Sequence, residues 1–519
     1  MNLRPIRFVH RGEVVSLSGI APDRSVLDWL REDAACPGTK EGCNEGDCGA
    51  CTVIIAQLDS AMESGPGSHL RRSDGLRLET VNACLQLLPS LDGKALLTVE
   101  DLAPGAVLHG ETVPSLHPVQ AAMVSCHGAQ CGFCTPGFVM SLTALYEQYL
   151  EAGTRPSRRQ VADGLAGNLC RCTGYRPILD AALQSFDAPV ERLDTAAIVS
   201  ALQTLAQDPA LRYEAASRTA GQPTQRFFAP KSLAEFAALR EQMPQATVLA
   251  GSTDIGLWVT KQFRDLGDIL SLMEVAELRS IERGDALLTI GAGASLEAAW
   301  AALVEEWPEL QEIWLRFAGP PIRHAGTLGG NIANGSPIGD GAPVLMALDA
   351  RLILRKGARI RTLPLESFYL GYRLNSLEAG EFVQAIEIPR RIPGTVVRAW
   401  KISKRYDCDI SAVCGAFVLR LEADRVIHAR FAFGGMAPIV KRAAQAERSV
   451  LGQPWTRDVA DAAAAALVED FEPISDLRAS QAYRMQVARG LFQRLWLQTN
   501  ADAPLSPGAS TVWAIASES

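Results

Sequence analysis

The sequence predicts a multidomain α+β protein, and three observations carry that expectation. At 519 residues the chain is too long for one ordinary core, since domains run to roughly 100–200 residues each. Short β-branched runs alternate with stretches of helical period along most of its length. Ten of its twelve cysteines fall before residue 173, so the first third is organised differently from the remainder.

Composition then excludes several classes. Hydrophobic residues at 48% and charged residues at 21% are ordinary for a packed globular chain, which sets aside disordered, collagen-like and coiled-coil proteins. A net charge of −8 argues against nucleic acid as a partner, because binding phosphates needs a basic surface. No apolar run approaches the roughly 18 residues of a membrane span, and no signal-peptide core follows Met1. A cytoplasmic location and no membrane partner are expected. In that compartment clustered cysteines are more often metal ligands than disulfides.

The N-terminal elements follow from local signals. Ile6–Val9 and Glu13–Leu17 flank a turn at Arg11-Gly12, which reads as a hairpin. Val26, Leu27, Trp29 and Leu30 give the next helix an apolar face, with Ser25 or Asp23 as its cap. A Gly- and Cys-rich loop over 36–51 leads into the strand Thr52–Ala56, and a polar excursion is expected from Ala61 to Gly75. From His117 to about Phe186 four short helices are expected, with Thr135 as a cap, Pro136 and Pro177 in first turns, and Gly167-Asn168 ending the third.

Residues 187–224, rich in Ala, Asp, Pro and Gln, suit a linker with one helical stretch near 194–206. Beyond them helices such as Ser232–Gln242 alternate with strands such as Thr247–Ala250 and Ala286–Ile290, an α/β or α+β pattern. The end of the chain reads as a hairpin, Asp409–Arg420 with Arg425–Phe433, followed by helices over 440–450, 456–470 and 477–499.

Cys43, Cys48 and Cys51 are spaced C-x4-C-x2-C, with Cys84 further on, which is the plant-ferredoxin arrangement for a [2Fe–2S] cluster. Glycines 42, 46 and 49 permit the bent loop that wraps such a core. A tetrahedral zinc site is the alternative, although zinc loops usually pair C-x2-C units. Cys131, Cys134, Cys170 and Cys172 form a second set, each pair at the turn of one helix hairpin, and by spacing alone this set suits zinc as well. Cys36, Cys126, Cys408 and Cys414 belong to neither set and read as free thiols.

Two Gly-rich segments stand out further along. Val248-Leu249-Ala250-Gly251-Ser252-Thr253-Asp254-Ile255 runs from a strand into a turn whose amides suit a diphosphate. The other is Gly326 to Asp340. Gly291-x-Gly293 lacks the third glycine and the later acidic residue of a dinucleotide fingerprint and is read as a decoy.

The runs Gln130 to Gly137 and Gly167 to Pro177 closely resemble the second cluster motif of the xanthine dehydrogenase family of molybdenum hydroxylases. With the first cysteine set, both Gly-rich segments, Glu387-Ile388-Pro389 and Lys401 to Arg405, the resemblance spans nearly the whole chain. It implies a β-grasp ferredoxin-like domain over 1–92, a four-helix [2Fe–2S] domain over 93–186 and the linker over 187–224. A PCMH-type α/β FAD-binding domain over 225–395 and a C-terminal α+β domain over 396–519, like that of carbon monoxide dehydrogenase flavoproteins, complete it.

By the same resemblance Cys43, Cys48, Cys51 and Cys84 hold one [2Fe–2S] cluster and Cys131, Cys134, Cys170 and Cys172 a second. FAD is implied to touch Val248, Leu249, Ala250, Gly251, Ser252, Thr253, Asp254 and Ile255, together with Phe317, Thr327, Gly329, Gly330, Asn331, Ser336, Asp340, Val383 and Lys401. Gln130 is implied to contact the pterin of a molybdenum cofactor held by a partner large subunit, in an (αβ)2 heterotetramer. The nicotinamide region maps near Tyr372 and Tyr406 to Asp409, with Cys408 standing where some relatives carry an acidic residue. His324, beside Arg323, is read as structural or flavin-lining.

The implied function is electron transfer from hypoxanthine or xanthine oxidation to NAD+, the substrate binding outside this chain. An aldehyde, carbon monoxide or an N-heteroaromatic is the alternative substrate.

Overall fold

The strand Ile6–His10 pairs antiparallel with Glu13–Leu17 across a turn whose two residues, Arg11 and Gly12, both have positive φ, 53° and 76°. That turn type matches the twist of a hairpin, which accounts for the glycine. In the computed structural model, which describes residues 3–59, 72–102, 116–218, 221 and 224–511, the hairpin is one edge of a six-stranded sheet. Its order continues with Ala95–Leu97, parallel to Ile6–His10, then Thr52–Leu58, Leu76–Asn82 and Arg72–Ser73. The helix Val26–Glu32 packs on it through Trp29 against Phe8, and Ser25 caps it by accepting from the Asp28 amide. This is the β-grasp fold of ferredoxins. Most of the excursion expected over 61–75 lies outside the described residues, but its end, Arg72–Ser73, is an edge strand where only loop is expected.

The four expected helices are Pro118–Ser125, Thr135–Glu151, Arg158–Gly164 and Arg176–Gln184. Thr135 is not the cap of its helix: Cys134 occupies that position, and Thr135 is the first helical residue. Glu147 on the long helix is fully buried and accepts from Ser73 (2.8 Å), the Leu193 amide (2.9 Å) and Arg192 (3.1 Å). A buried carboxylate is tolerable only with such partners, and these tie sheet, helix and following segment together.

The segment 187–224 is accordingly not a free linker. It holds the helix Ala196–Leu205 and the strand Leu211–Ala215, which pairs with Gln225–Ala229 at the edge of a second sheet. Leu211, Tyr213 and Ala215 are buried on alternate positions, a period too short to show in an Ala- and Asp-rich stretch. That sheet continues with Ile269–Ser271 and Thr247–Leu249. A third sheet has the order Ile281–Arg283, Leu287–Gly291, Phe382–Pro389, Arg351–Lys356, Arg359–Pro364. Trp300, Trp307 and Phe368 fill the core beside it.

The last unit is a four-stranded antiparallel sheet, Thr395–Ile402, Val413–Glu422, Arg425–Gly434 and Lys441–Arg442, with helices Ala444–Val450, Arg457–Asp470 and Gln481–Thr499. Phe417, Phe431, Phe433 and Phe492 meet edge-on in its core. The last helix begins at Gln481 with Ser480 as cap, four residues later than the periodicity predicts, because Asp476 holds residues 476–479 in a turn. Among the described residues no helix is long and apolar enough to cross a membrane.

Candidate functional site

Cys43, Cys48 and Cys51 lie on the loop before the strand Thr52–Leu58, and Cys84 follows the strand Leu76–Asn82. Gly46 and Gly49 take φ of 78° and 68°, which bends the loop around the thiols. The Cys43 sulfur accepts from the amides of Asp47 and Cys48 at 3.3 Å each. The Cys48 thiol and the amides of Cys48, Glu45 and Asp47 lower the Cys43 thiol to about 5. The four thiols meet two by two, Cys43 with Cys48 and Cys51 with Cys84.

The second set repeats this pairing, Cys131 with Cys172 and Cys134 with Cys170, so the helix hairpins do dock their turns together. Pairs of thiols, with amides aimed at their sulfurs, suit a two-iron core in which each iron takes two cysteines. Gln130, Cys131 and Cys172 are exposed, so the second set opens outward.

The two cysteine loops touch. The Leu169 amide donates to the Cys48 carbonyl at 2.9 Å, and the buried Asn168 amide group donates to the Gly49 carbonyl at 3.1 Å and to Thr52 Oγ1 at 3.2 Å. A Cβ on Gly49 would sit 2.2 Å from the Gly167 carbonyl oxygen, so only glycine allows this approach.

On the other side of the first loop is a cavity of about 980 Å³. Val248, Ala250, Gly251, Ser252, Thr253, Asp254 and Ile255 line it from one Gly-rich segment; Thr327, Gly329, Gly330, Asn331, Ser336 and Asp340 line it from the other. Phe317, Val383 and Lys401 complete the set expected there. Leu249 alone departs: its side chain is fully buried with Phe227 and Ile269 and does not reach the cavity, as alternation along a strand requires.

The two segments are pressed together, since a Cβ on Gly251 would lie 1.7 Å from the Ala325 carbonyl oxygen. Ser252 has φ 64° and a buried hydroxyl with no protein partner, and among the described residues the Ser252 and Thr253 amides find no protein acceptor. Buried donors left open in this way suit an anionic group such as a diphosphate. The residues present therefore fit FAD.

Asp340 and Lys401 form a buried ion pair at 2.6 Å, and Ser411 donates to the other carboxylate oxygen. Burial raises the Asp254 carboxyl above its ordinary range. Gly291 is close-packed on the Leu278 carbonyl and stays off the wall, but Ala292 and Leu296 of the segment read as a decoy do line the cavity, Ala292 packing directly against Gly329. His324 does not line it either, and its Nδ1 lies 3.0 Å from the Thr80 carbonyl, a structural contact between domains.

Tyr372 is exposed and off the wall, whereas Cys408 and Asp409 are on it. Cys408 is more than a bystander thiol: its sulfur accepts from the Gly167 amide at 3.1 Å, and burial raises its thiol. Sequence reasoning misses part of the wall. Glu45, Gly46, Asp47 and Asn82 come to it from the ferredoxin-like domain, and Leu477 and Arg478 from the C-terminal domain. Only their distance along the chain hides them.

A β-grasp domain with paired thiols, a four-helix domain with a second thiol set, and a Gly-rich cavity against the first cysteine loop define an iron–sulfur flavoprotein. Comparison with known proteins agrees. Residues 98–183 match a [2Fe-2S] binding domain, 222–391 the FAD binding domain in molybdopterin dehydrogenase, and 398–499 the CO dehydrogenase flavoprotein C-terminal domain. The chain belongs to the molybdenum hydroxylase family, as an iron–sulfur and FAD-binding part.

Among its relatives, xanthine dehydrogenase of Emericella nidulans is 30% identical over 546 residues, covering 95% of this chain and 38% of that protein. That of Drosophila subobscura is 33% identical over 543 residues, with 94% and 39% covered. The chain thus spans less than two-fifths of the length of these relatives. Among solved structures, a carbon monoxide dehydrogenase from Hydrogenophaga pseudoflava is 30% identical with a TM-score of 0.49, covering 52% of this chain and 94% of that one. Quinoline 2-oxidoreductase from Pseudomonas putida 86 is 26% identical with a TM-score of 0.48, covering 52% and 94%.

Proposed function

We propose that the chain carries two [2Fe–2S] clusters and FAD in series and passes electrons from a molybdenum centre on a partner polypeptide, where hypoxanthine or xanthine is oxidised, to NAD+. The observation that carries this reading is the position of the Cys43–Cys51 loop. Its Cys48 carbonyl is bonded to Leu169, next to Cys170 of the second set, and its Gly46 and Asp47 line the Gly-rich cavity. One loop therefore touches both other sites.

In this reading Cys43, Cys48, Cys51 and Cys84 hold the inner cluster, and Cys131, Cys134, Cys170 and Cys172 the outer one. Exposed Gln130 faces the side from which the partner's pterin approaches. Amides and the hydroxyl at 252–253 hold the FAD diphosphate, Thr327 to Asn331 and Ser336 the wall beside it, and Phe317, Val383 and the Asp340–Lys401 pair the flavin end. FAD supplies the exchange between single electrons from a cluster and the two-electron hydride that nicotinamide accepts. The purine assignment is supported by the xanthine dehydrogenases that align with 94–95% of this chain.

The test is reconstitution with the molybdenum-bearing partner. Xanthine should reduce NAD+. Cys131→Ser or Cys172→Ser should abolish that turnover while NADH oxidation by artificial dyes persists. Turnover that survives either substitution contradicts the series, equal loss of both activities points instead to collapse of the fold, and oxidation of an aldehyde but no purine overturns the substrate while leaving the route.

A further inference from the structure

The cations on the cavity wall are nearly all committed. Lys401 is paired with Asp340, and Arg405 lies 3.8 Å from Asp409. Lys404 donates to the Leu477 carbonyl at 3.0 Å, and Arg240 donates to the carbonyls of Pro244 and Ala246 at 2.9 and 3.1 Å. Arg478 is the exception: among the described residues its guanidinium makes no ion pair or hydrogen bond, although it stands on the same wall, half-buried.

Its backbone, in contrast, is held firmly. Asp476 Oδ1 accepts from the amides of Arg478 (2.8 Å) and Ala479 (3.1 Å), and from Arg484 at 2.7 Å. Arg484 is 1% exposed and also donates to the carbonyls of Ala412, on the cavity wall, and Gly435. A buried arginine thus braces a turn against the cavity wall and presents at its tip an exposed Leu477 and an uncommitted cation. Ordering an arginine on a rigid support without a partner makes physical sense when the partner arrives with a ligand.

We infer that Arg478 is a specificity-determining residue for the electron acceptor, recognising the phosphates of a nicotinamide dinucleotide as it docks over the flavin. Asp476 and Arg484 are positioning residues for it. This rests on the reading of the cavity as an FAD site with a nicotinamide acceptor.

The test uses the full chain loaded with FAD, and runs the acceptor step in reverse. Hydride passes from a dihydronicotinamide to the flavin, oxidising the one and reducing the other. NADH is compared with 1-benzyl-1,4-dihydronicotinamide, which delivers the same hydride but carries no phosphate. Arg478→Gln should lower the ratio of the two second-order rate constants, NADH over benzyl analogue, by roughly five- to tenfold. Arg478→Lys should recover most of the ratio, Asp476→Asn should lower it in the same direction, and the salt dependence of the NADH reaction should flatten in Arg478→Gln. A ratio unchanged by Arg478→Gln overturns the inference and leaves the acceptor reading intact. Loss of FAD on filtration of Arg478→Gln also overturns it, because the guanidinium then serves the cofactor's own diphosphate. An FAD-loaded wild-type chain that NADH cannot reduce overturns the nicotinamide reading itself.

Discussion

The Leu169 amide donates to the Cys48 carbonyl across 2.9 Å, clasping the loop of one cysteine set onto the loop of the other. Beside it Asn168 serves three groups at once, donating to Gly49 and Thr52 and accepting from Ser141 at 2.7 Å. Replacing Asn168 with Ala leaves buried polar groups unsatisfied, at about 1–3 kcal/mol for each. Asn168→Ala should lower the thermal midpoint and speed iron loss while flavin content holds. Iron and flavin lost at the same rate would show that the contact supports the whole chain instead.

Gly251→Ala should empty the flavin site and spare the clusters. The added Cβ meets the Ala325 carbonyl at 1.7 Å, so the two Gly-rich segments must part. Flavin and iron per chain, measured in one preparation, check this. Normal flavin would mean that the segments tolerate separation and that their close approach does not form the site.

Asp340→Ala should weaken FAD binding roughly ten- to hundredfold and also destabilise the fold, because it strands the buried Lys401 charge at a cost of about 3–5 kcal/mol. The double variant Asp340→Ala with Lys401→Met should recover much of the stability. FAD should stay weakly bound in it. Urea midpoints and flavin content separate the two effects; if the double variant also regains FAD, the pair is a structural contact only.

How much of this is legible in the sequence depends on distance along the chain. The cysteine spacing, the cap at Ser25 and the hairpin turn at Arg11-Gly12 are local signals, and each is found where local physics places it. The second sheet's edge at Leu211–Ala215 is a five-residue alternation, too short to stand out from a polar stretch. Asp340 could be read only as a residue in a Gly-rich loop, since its partners Lys401 and Ser411 lie 61 and 71 positions away. The bracing of Arg478 by Asp476 and Arg484 is equally hidden. The helical period runs smoothly back through 477, and only the carboxylate's capture of two amides stops the helix at Gln481.

His117 should give the chain an acid limb. Burial lowers its imidazole from 6.5 to about 4, while its Nδ1 accepts from the Val119 amide to cap the helix that leads to the second cysteine set. A base lowered on folding binds its proton more readily when unfolded. Its contribution is therefore intact above pH 6.5 and is lost progressively as pH falls toward 4, by about 3 kcal/mol in all. His117→Asn keeps a capping oxygen without titrating in this window. Urea midpoints between pH 7.5 and 4.5 should fall less in the variant than in the parent chain; identical slopes would assign the acid limb to other groups.

The most direct test of two clusters beside one flavin is to count iron and flavin per chain and resolve the reduced clusters by electron paramagnetic resonance. The account predicts about four irons and one FAD, because eight cysteines meet as two sets of two pairs. Two distinct [2Fe–2S] signals should appear, one removed by Cys43→Ser and the other by Cys131→Ser. Two irons per chain with a single signal, or zinc in place of iron in either set, would contradict it.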